Sequence, residues 1–138
     1  MRITSFTDCG LRMLMQLASP PLRAYSTAEL AKGLDFSRNH LSKIMQCLAR
    51  GGIVATRRGA GGGATLARAP QDIRLGEVIH LLEQGQPIVE CFNDETSTRK
   101  VTLNCRLRHR LRAAEAAFLA ELDRATLAEI AFTAAAAA

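Results

Sequence analysis

The sequence predicts a mostly α fold with a small β wing, closed by one long C-terminal helix. Two observations carry that reading. Apolar residues recur at helical spacing in successive stretches, two of them opened by serine caps, and a single glycine-rich turn between short apolar runs breaks the helical period. At 138 residues and 48% hydrophobic, the chain has the length and apolar content of one domain with a buried core.

The first helix is written in FTDCGLRMLMQLA, residues 6–18, where Leu11, Leu14, Met15 and Leu17 alternate with polar positions before Pro20 and Pro21 stop it. Ser26 followed by Glu29 forms a capping box, and Tyr25 and Leu30 form the hydrophobic staple around it. A short second helix is therefore expected from Thr27 to about Leu34, with Gly33 as its stop. The device repeats at Phe36, Ser37 and Leu41, which open a third helix. Its inner face is Leu41, Ile44, Met45 and Leu48, and Gly51 and Gly52 end it. Two short helices joined by a tight turn make a helix-turn-helix.

IVATRRGAGGGATLA follows, read as strands over Ile53–Thr56 and Ala64–Ala67 around a turn that carries Arg57 and Arg58. That hairpin is a wing. IRLGEVIHLLE, residues 73–83, returns to helical period, and Gly85 and Pro87 close it. Periodicity then disappears from Glu90 to Asn104, a stretch long enough to signal function or disorder. In the long helix beyond, Leu107, Leu111, Ala114, Phe118, Leu119 and Leu122 form an apolar stripe, and Thr126 with Glu129 caps a separate final turn. The stripe is too long for so small a core, so it is expected to meet the same stripe in a second copy; the alternative is that it folds back on the first helix. The expected organisation is a winged helix-turn-helix part at 1–84, a sensor loop at 85–105, a dimerisation helix at 106–133 and a disordered alanine tail at 134–138, all in one compact domain.

Composition narrows the partners. The net charge of +5 attracts polyanions. Trp is absent and Tyr occurs once, which argues against stacking on single-stranded nucleic acid. No apolar run has the length of a membrane span, and MRITSFTDCG lacks the pattern of a secretory signal, so a cytoplasmic protein without a membrane partner is expected. In a reducing compartment the four cysteines do not form a disulfide framework. Cys47, three residues after Ile44, reads as a small buried hydrophobe, and Cys9 is assigned to core packing despite its neighbour Asp8.

In a helix-turn-helix the first turn of the second helix meets base edges in the major groove. Ser37, Arg38, Asn39 and His40 occupy that place. Arginine grips guanine bidentately, asparagine grips adenine, and Lys43 one turn on suits a phosphate or a base edge. Arg57 and Arg58 beside Gly59, Gly61, Gly62 and Gly63 put charge on a slender turn that approaches the backbone or the minor groove closely. A solvated first turn and a plain hairpin are the competing readings. A nucleotide-phosphate cradle is disfavoured, since no helix and no Lys-Ser or Lys-Thr pair follows GAGGGA. Duplex DNA is therefore the expected partner. No paired carboxylates in an apolar pocket and no spaced nucleophile and base are present, so a small thiol- or metal-dependent enzyme using Cys91, Cys105 and His109 is the weaker alternative, as is a protein-interaction module.

MRITSFTDCGLRML, SRNHLSKIMQCLARGGIVATRRGAGGG and IRLGEVIHLLE together resemble the winged helix-turn-helix family of iron–sulfur transcription regulators that includes NsrR and IscR, with NsrR the nearer by these motifs. The resemblance covers nearly the whole chain. It implies a homodimeric regulator, in the nitric-oxide-responsive case a repressor, that binds a near-palindromic site in double-stranded promoter DNA with the third helix and the wing. It also implies an iron–sulfur cluster at the loop before the long helix, held in the family by three loop cysteines and, in the nitric-oxide sensors, a carboxylate near the start of helix one. Here the loop holds only Cys91 and Cys105, Asp8 stands at the carboxylate position, and Arg99 and Lys100 bring no thiol.

Two thiolates, Asp8 and His109 as a further candidate would hold a 2Fe-2S cluster, whereas a 4Fe-4S cluster needs a less usual fourth ligand. Two other readings of the loop stay open. Arg106 and Arg108 beside the helix start would lower the Cys105 pKa, and a reversible Cys91–Cys105 disulfide would make a metal-free redox switch. The other is a family member that has lost its sensor.

Overall fold

The computed structural model describes residues 3–84 and 106–133. Helix α1 spans Ser5–Ala18, with the Thr4 side chain accepting from the Thr7 N–H at 3.2 Å. Its buried positions, among them Cys9, Gly10, Met13, Leu14 and Leu17, fall at helical intervals and face the core. Past its end, the Ser19 hydroxyl donates to the Met15 carbonyl at 2.6 Å and accepts the Phe132 N–H at 2.9 Å, which fastens the end of the described chain to α1.

Helix α2, Thr27–Leu34, starts on the expected capping box: Glu29 N–H donates to Ser26 Oγ at 3.1 Å and Ser26 N–H to Glu29 Oε2 at 2.8 Å. It ends at Leu34 as expected, but Gly33 is not its stop. The left-handed cap is Asp35, at φ 57°, a conformation an aspartate tolerates better than most residues. Helix α3, Arg38–Arg50, begins on Ser37, whose side chain accepts from His40 N–H at 3.2 Å. Leu41, Ile44, Met45 and Leu48 are buried as expected, and Gly52 takes the left-handed conformation beyond the helix end.

The wing pairs β1, Val54–Arg57, with β2, Gly63–Leu66, antiparallel in the register Val54 with Leu66 and Arg57 with Gly63. Both strands begin and end one residue away from the sequence expectation. Ile53 is still held to the end of α3 by its N–H to the Leu48 carbonyl at 2.9 Å, while Gly63, at φ 137°, is drawn in against the Tyr25 carbonyl where a Cβ would overlap. Tyr25 exchanges hydrogen bonds of 3.0 and 2.8 Å with Ala64 and so adds a third backbone to a hairpin that would be marginal alone.

Helix α4, Leu75–Leu82, follows a 3-10 turn at Pro70–Asp72 and has no side-chain cap of its own. Its N-terminus is served from a distance: Glu77 N–H donates to Asp123 Oδ1 at 3.0 Å and Leu75 N–H to the Ala125 carbonyl at 3.1 Å. Helix α5, Arg106–Leu122, packs against α4 rather than folding back on α1. Gly76 makes the approach possible, since a Cβ there would overlap the Leu119 carbonyl and the Asp123 carboxylate. Helix α6, Leu127–Ile130, carries the expected Glu129 bond back to Thr126 N–H at 2.6 Å and buries Leu127 in the core. The core lies between α1, α3 and α4, closed by Ile53, Ile73 and Leu127. Among the described residues, no helix is long and apolar enough to cross a membrane.

Candidate nucleic-acid interface

Capping and burial together fix which side of α3 faces out. With Leu41, Ile44, Met45 and Leu48 in the core, the opposite face presents Asn39, Lys43, Gln46 and Arg50, all exposed and separated by one helical turn each. Ser37 and Arg38 are exposed at its start. Gln46 and Arg50 are absent from the sequence reading, which concentrated on the first turn; the i+7 and i+11 spacing from Asn39 is the signal that identifies them. His40 differs from its neighbours: it is half-buried, its ring 5.9 Å from that of Phe6 and 6.4 Å from that of Phe36.

The wing exposes Arg57 at the end of β1 and Arg58 on the turn that follows, and Gly62 is half-buried. Gly62 N–H donates to the Gly59 carbonyl at 3.0 Å, and a Cβ on Gly62 would overlap the Arg57 carbonyl, so the turn is compact. Some cations elsewhere are paired. Arg68 pairs with Glu77 at 2.8 Å, and Arg23 pairs with Glu29 at 3.2 Å while its guanidinium lies 3.8 Å over the Tyr25 ring. Among the described residues, Arg38, Lys43, Arg57 and Arg58 enter no ion pair, so their charge is available to an outside anion.

The sensor residues divide between the described chain and the rest. Asp8 is exposed in the first turn of α1 and accepts from Arg12 Nε at 3.0 Å, and His109 is exposed in the first turn of α5. Cys91 and Cys105 lie outside the described residues, as do the loop at 85–105 and the tail at 134–138. Among the described residues, no three metal-ligating side chains gather. Cys9 is buried, and its thiol is pushed up by that burial and by the Asp8 carboxylate, against a smaller opposing effect of Arg12, as suits a packing residue rather than a thiolate. Cys47 is half-buried and donates weakly to the Leu81 carbonyl at 3.8 Å.

One cluster escaped the sequence reading. Glu83 Oε1, just after α4, accepts from Thr4 N–H at 2.9 Å, Thr4 Oγ1 at 3.0 Å and Thr7 Oγ1 at 2.6 Å. Burial pushes this carboxyl up, but the hydrogen bonds from Thr7 and Thr4 outweigh it and hold the group below its ordinary value.

A capped reading helix followed by a basic hairpin defines a winged helix-turn-helix DNA-binding regulator. The chain belongs to the Rrf2 family, described as iron-dependent transcriptional regulators, whose profile matches residues 3–133. It is 38% identical over 131 residues to the HTH-type transcriptional regulator NsrR of Shouchella clausii, covering 94% of this chain and 88% of that one. NsrR of Bacillus subtilis is likewise 38% identical, over 94% and 90% of the two chains. The solved structure of CymR, the global cysteine regulator of B. subtilis, superposes with a TM-score of 0.72 at 26% identity, covering 95% of this chain and 96% of that one. The chain is thus a transcriptional regulator of the NsrR type and not an enzyme.

Proposed function

We propose that the protein is a homodimeric repressor that reads a near-palindromic duplex with Ser37, Arg38, Asn39 and Lys43 in the major groove and grips the backbone or minor groove with Arg57 and Arg58, Gly62 keeping the wing tip narrow. His40 belongs to the same end of α3. The observation that carries the reading is the group of unpaired cations at the capped start of α3 and on the wing, in a chain whose Arg23 and Arg68 are neutralised. Two such heads fit successive major grooves about one helical turn, roughly 34 Å, apart.

Helix α5 supports the dimer. None of its residues is buried within one chain, and Leu107 is 62% exposed. Its charge is segregated, with Arg106, Arg108, Arg110 and Arg112 in the first half and Glu115 and Glu121 in the second. Arginines at a helix N-terminus oppose the dipole, so an antiparallel partner that brings its acidic half alongside relieves the conflict.

Control of DNA affinity is assigned to a cluster held by Cys91, Cys105 and Asp8, with His109 as a further candidate. This mixed thiolate, carboxylate and imidazole set suits a 2Fe-2S centre, and Asp8 and His109 are both exposed. Bound there, the cluster would supply reactivity toward nitric oxide and oxidants. Arg12 engages Asp8 through Oδ2, so ligation through Oδ1 would tie the sensor to the first turns of α1.

The test is selection of duplexes from a random pool with the full chain. Symmetric half-sites about 10 base pairs apart are expected. Recovery of no enriched sequence contradicts the proposal.

A further inference from the structure

The first turn of α3 does not present a uniform set of side chains. Arg38 and Asn39 are exposed, whereas His40 is half-buried between two rings, 5.9 Å from Phe6 with the planes inclined at 38° and 6.4 Å from Phe36 edge-on at 70°. These are separations and tilts at which aromatic rings attract. An imidazole held on two sides in this way is poorly free to swing into a groove. Phe36 precedes the Ser37 cap on the same segment, so its contact fixes the ring locally. Phe6 is different, because it lies in the first turn of α1.

That turn has a second attachment. Thr4 and Thr7, on either side of Phe6, both bind Glu83 Oε1, and Glu83 follows the last residue of α4. Thr7 is fully buried. The chain thus runs without a gap from Glu83 through Thr4 and Thr7 to Phe6 and on to His40.

We propose that His40 is a positioning residue: through Phe6 it sets the attitude of the DNA-reading end of α3 and couples it to the first turn of α1 and to Glu83, and it reads no base itself. The proposal rests on the DNA-reading role of α3. Because the coupling is made by ring contacts, phenylalanine replaces histidine at this position and alanine does not.

The experiment uses the full chain and the duplex that the wild type selects from a random pool, with thermal unfolding confirming that each variant is folded. His40→Ala is expected to weaken binding about tenfold, and His40→Phe to restore it to within about threefold of wild type. Phe6→Leu, on α1 rather than on the reading helix, is expected to weaken binding comparably to His40→Ala, and the double variant Phe6→Leu/His40→Ala to be no weaker than His40→Ala alone. Binding by His40→Phe as weak as by His40→Ala, with Phe6→Leu at wild-type affinity, makes His40 a direct contact and overturns the proposal. A second readout needs no DNA. In the free protein, Phe6→Leu is expected to shift the His40 ring resonances and the Arg38 and Asn39 amide signals, and unmoved signals overturn the coupling. If the wild type selects no duplex, the DNA-reading proposal fails, and the resonance shifts still decide whether the ring contact exists.

Discussion

Glu83 and Thr7, 76 residues apart in sequence, meet in a 2.6 Å hydrogen bond that fastens the end of α4 to the buried start of α1. Folding lowers the Glu83 pKa, because the Thr7 and Thr4 donors outweigh the cost of burial. A depressed carboxyl stabilises the fold above its ordinary range, and that contribution is lost as pH falls through the folded value. Glu83→Gln is therefore expected to lower the melting temperature at pH 7 and to narrow its deficit between about pH 5 and about pH 3. Melting curves that run parallel across this window contradict the role given to the carboxylate.

Gly76→Ala places a methyl against the Leu119 carbonyl and the Asp123 carboxylate, neither of which is the loose end of a flexible side chain. Asp123 cannot retreat without releasing Glu77 N–H. A loss of about 1 to 3 kcal/mol is expected in denaturant titration at fixed protein concentration. A neutral substitution shows that α5 slides freely on α4.

Leu107→Glu tests the pairing of α5. Leu107 is 62% exposed, so the change costs the single chain little, yet it puts charge on the proposed interface. Sedimentation is expected to give twice the 14.9 kDa chain mass for the wild type and a shift toward the single chain for the variant. A monomeric wild type, or a variant that remains a dimer, removes α5 as the contact.

Iron decides the sensor. Protein purified without oxygen is expected to carry iron and acid-labile sulfide and a visible absorption that nitric oxide bleaches, with Cys91→Ser and Cys105→Ser colourless. A colourless wild type after reconstitution contradicts the cluster. Oxidant titration with mass spectrometry then tests the Cys91–Cys105 disulfide in its place.

How much of this is legible in the sequence depends on range. The starts of α2 and α3 are legible because Ser26, Glu29 and Ser37 act within three residues of their partners. The start of α4 is not, because Asp123, which serves it, lies 46 residues from Glu77. The end of α2 at Leu34 is legible, but the residue that stops it is not: glycine is the usual left-handed stop, and here Asp35 rather than Gly33 takes that conformation. The exposed cations of α3 and the wing are visible in composition and spacing alone. The contact of His40 with Phe6 is not, since only packing of α1 beside α3 brings them together.

The most direct test of the DNA-reading face is a titration of the selected duplex from about 50 to about 200 mM salt with wild type, Arg38→Ala, Asn39→Ala and Arg57→Ala. Arg38→Ala and Asn39→Ala are expected to cost about 1 to 3 kcal/mol on that duplex and to relax sequence preference. Arg57→Ala is expected to weaken all duplexes alike and to lower the salt slope by about one. If all three variants keep wild-type affinity and slope, the start of α3 and the wing are not the DNA-reading face.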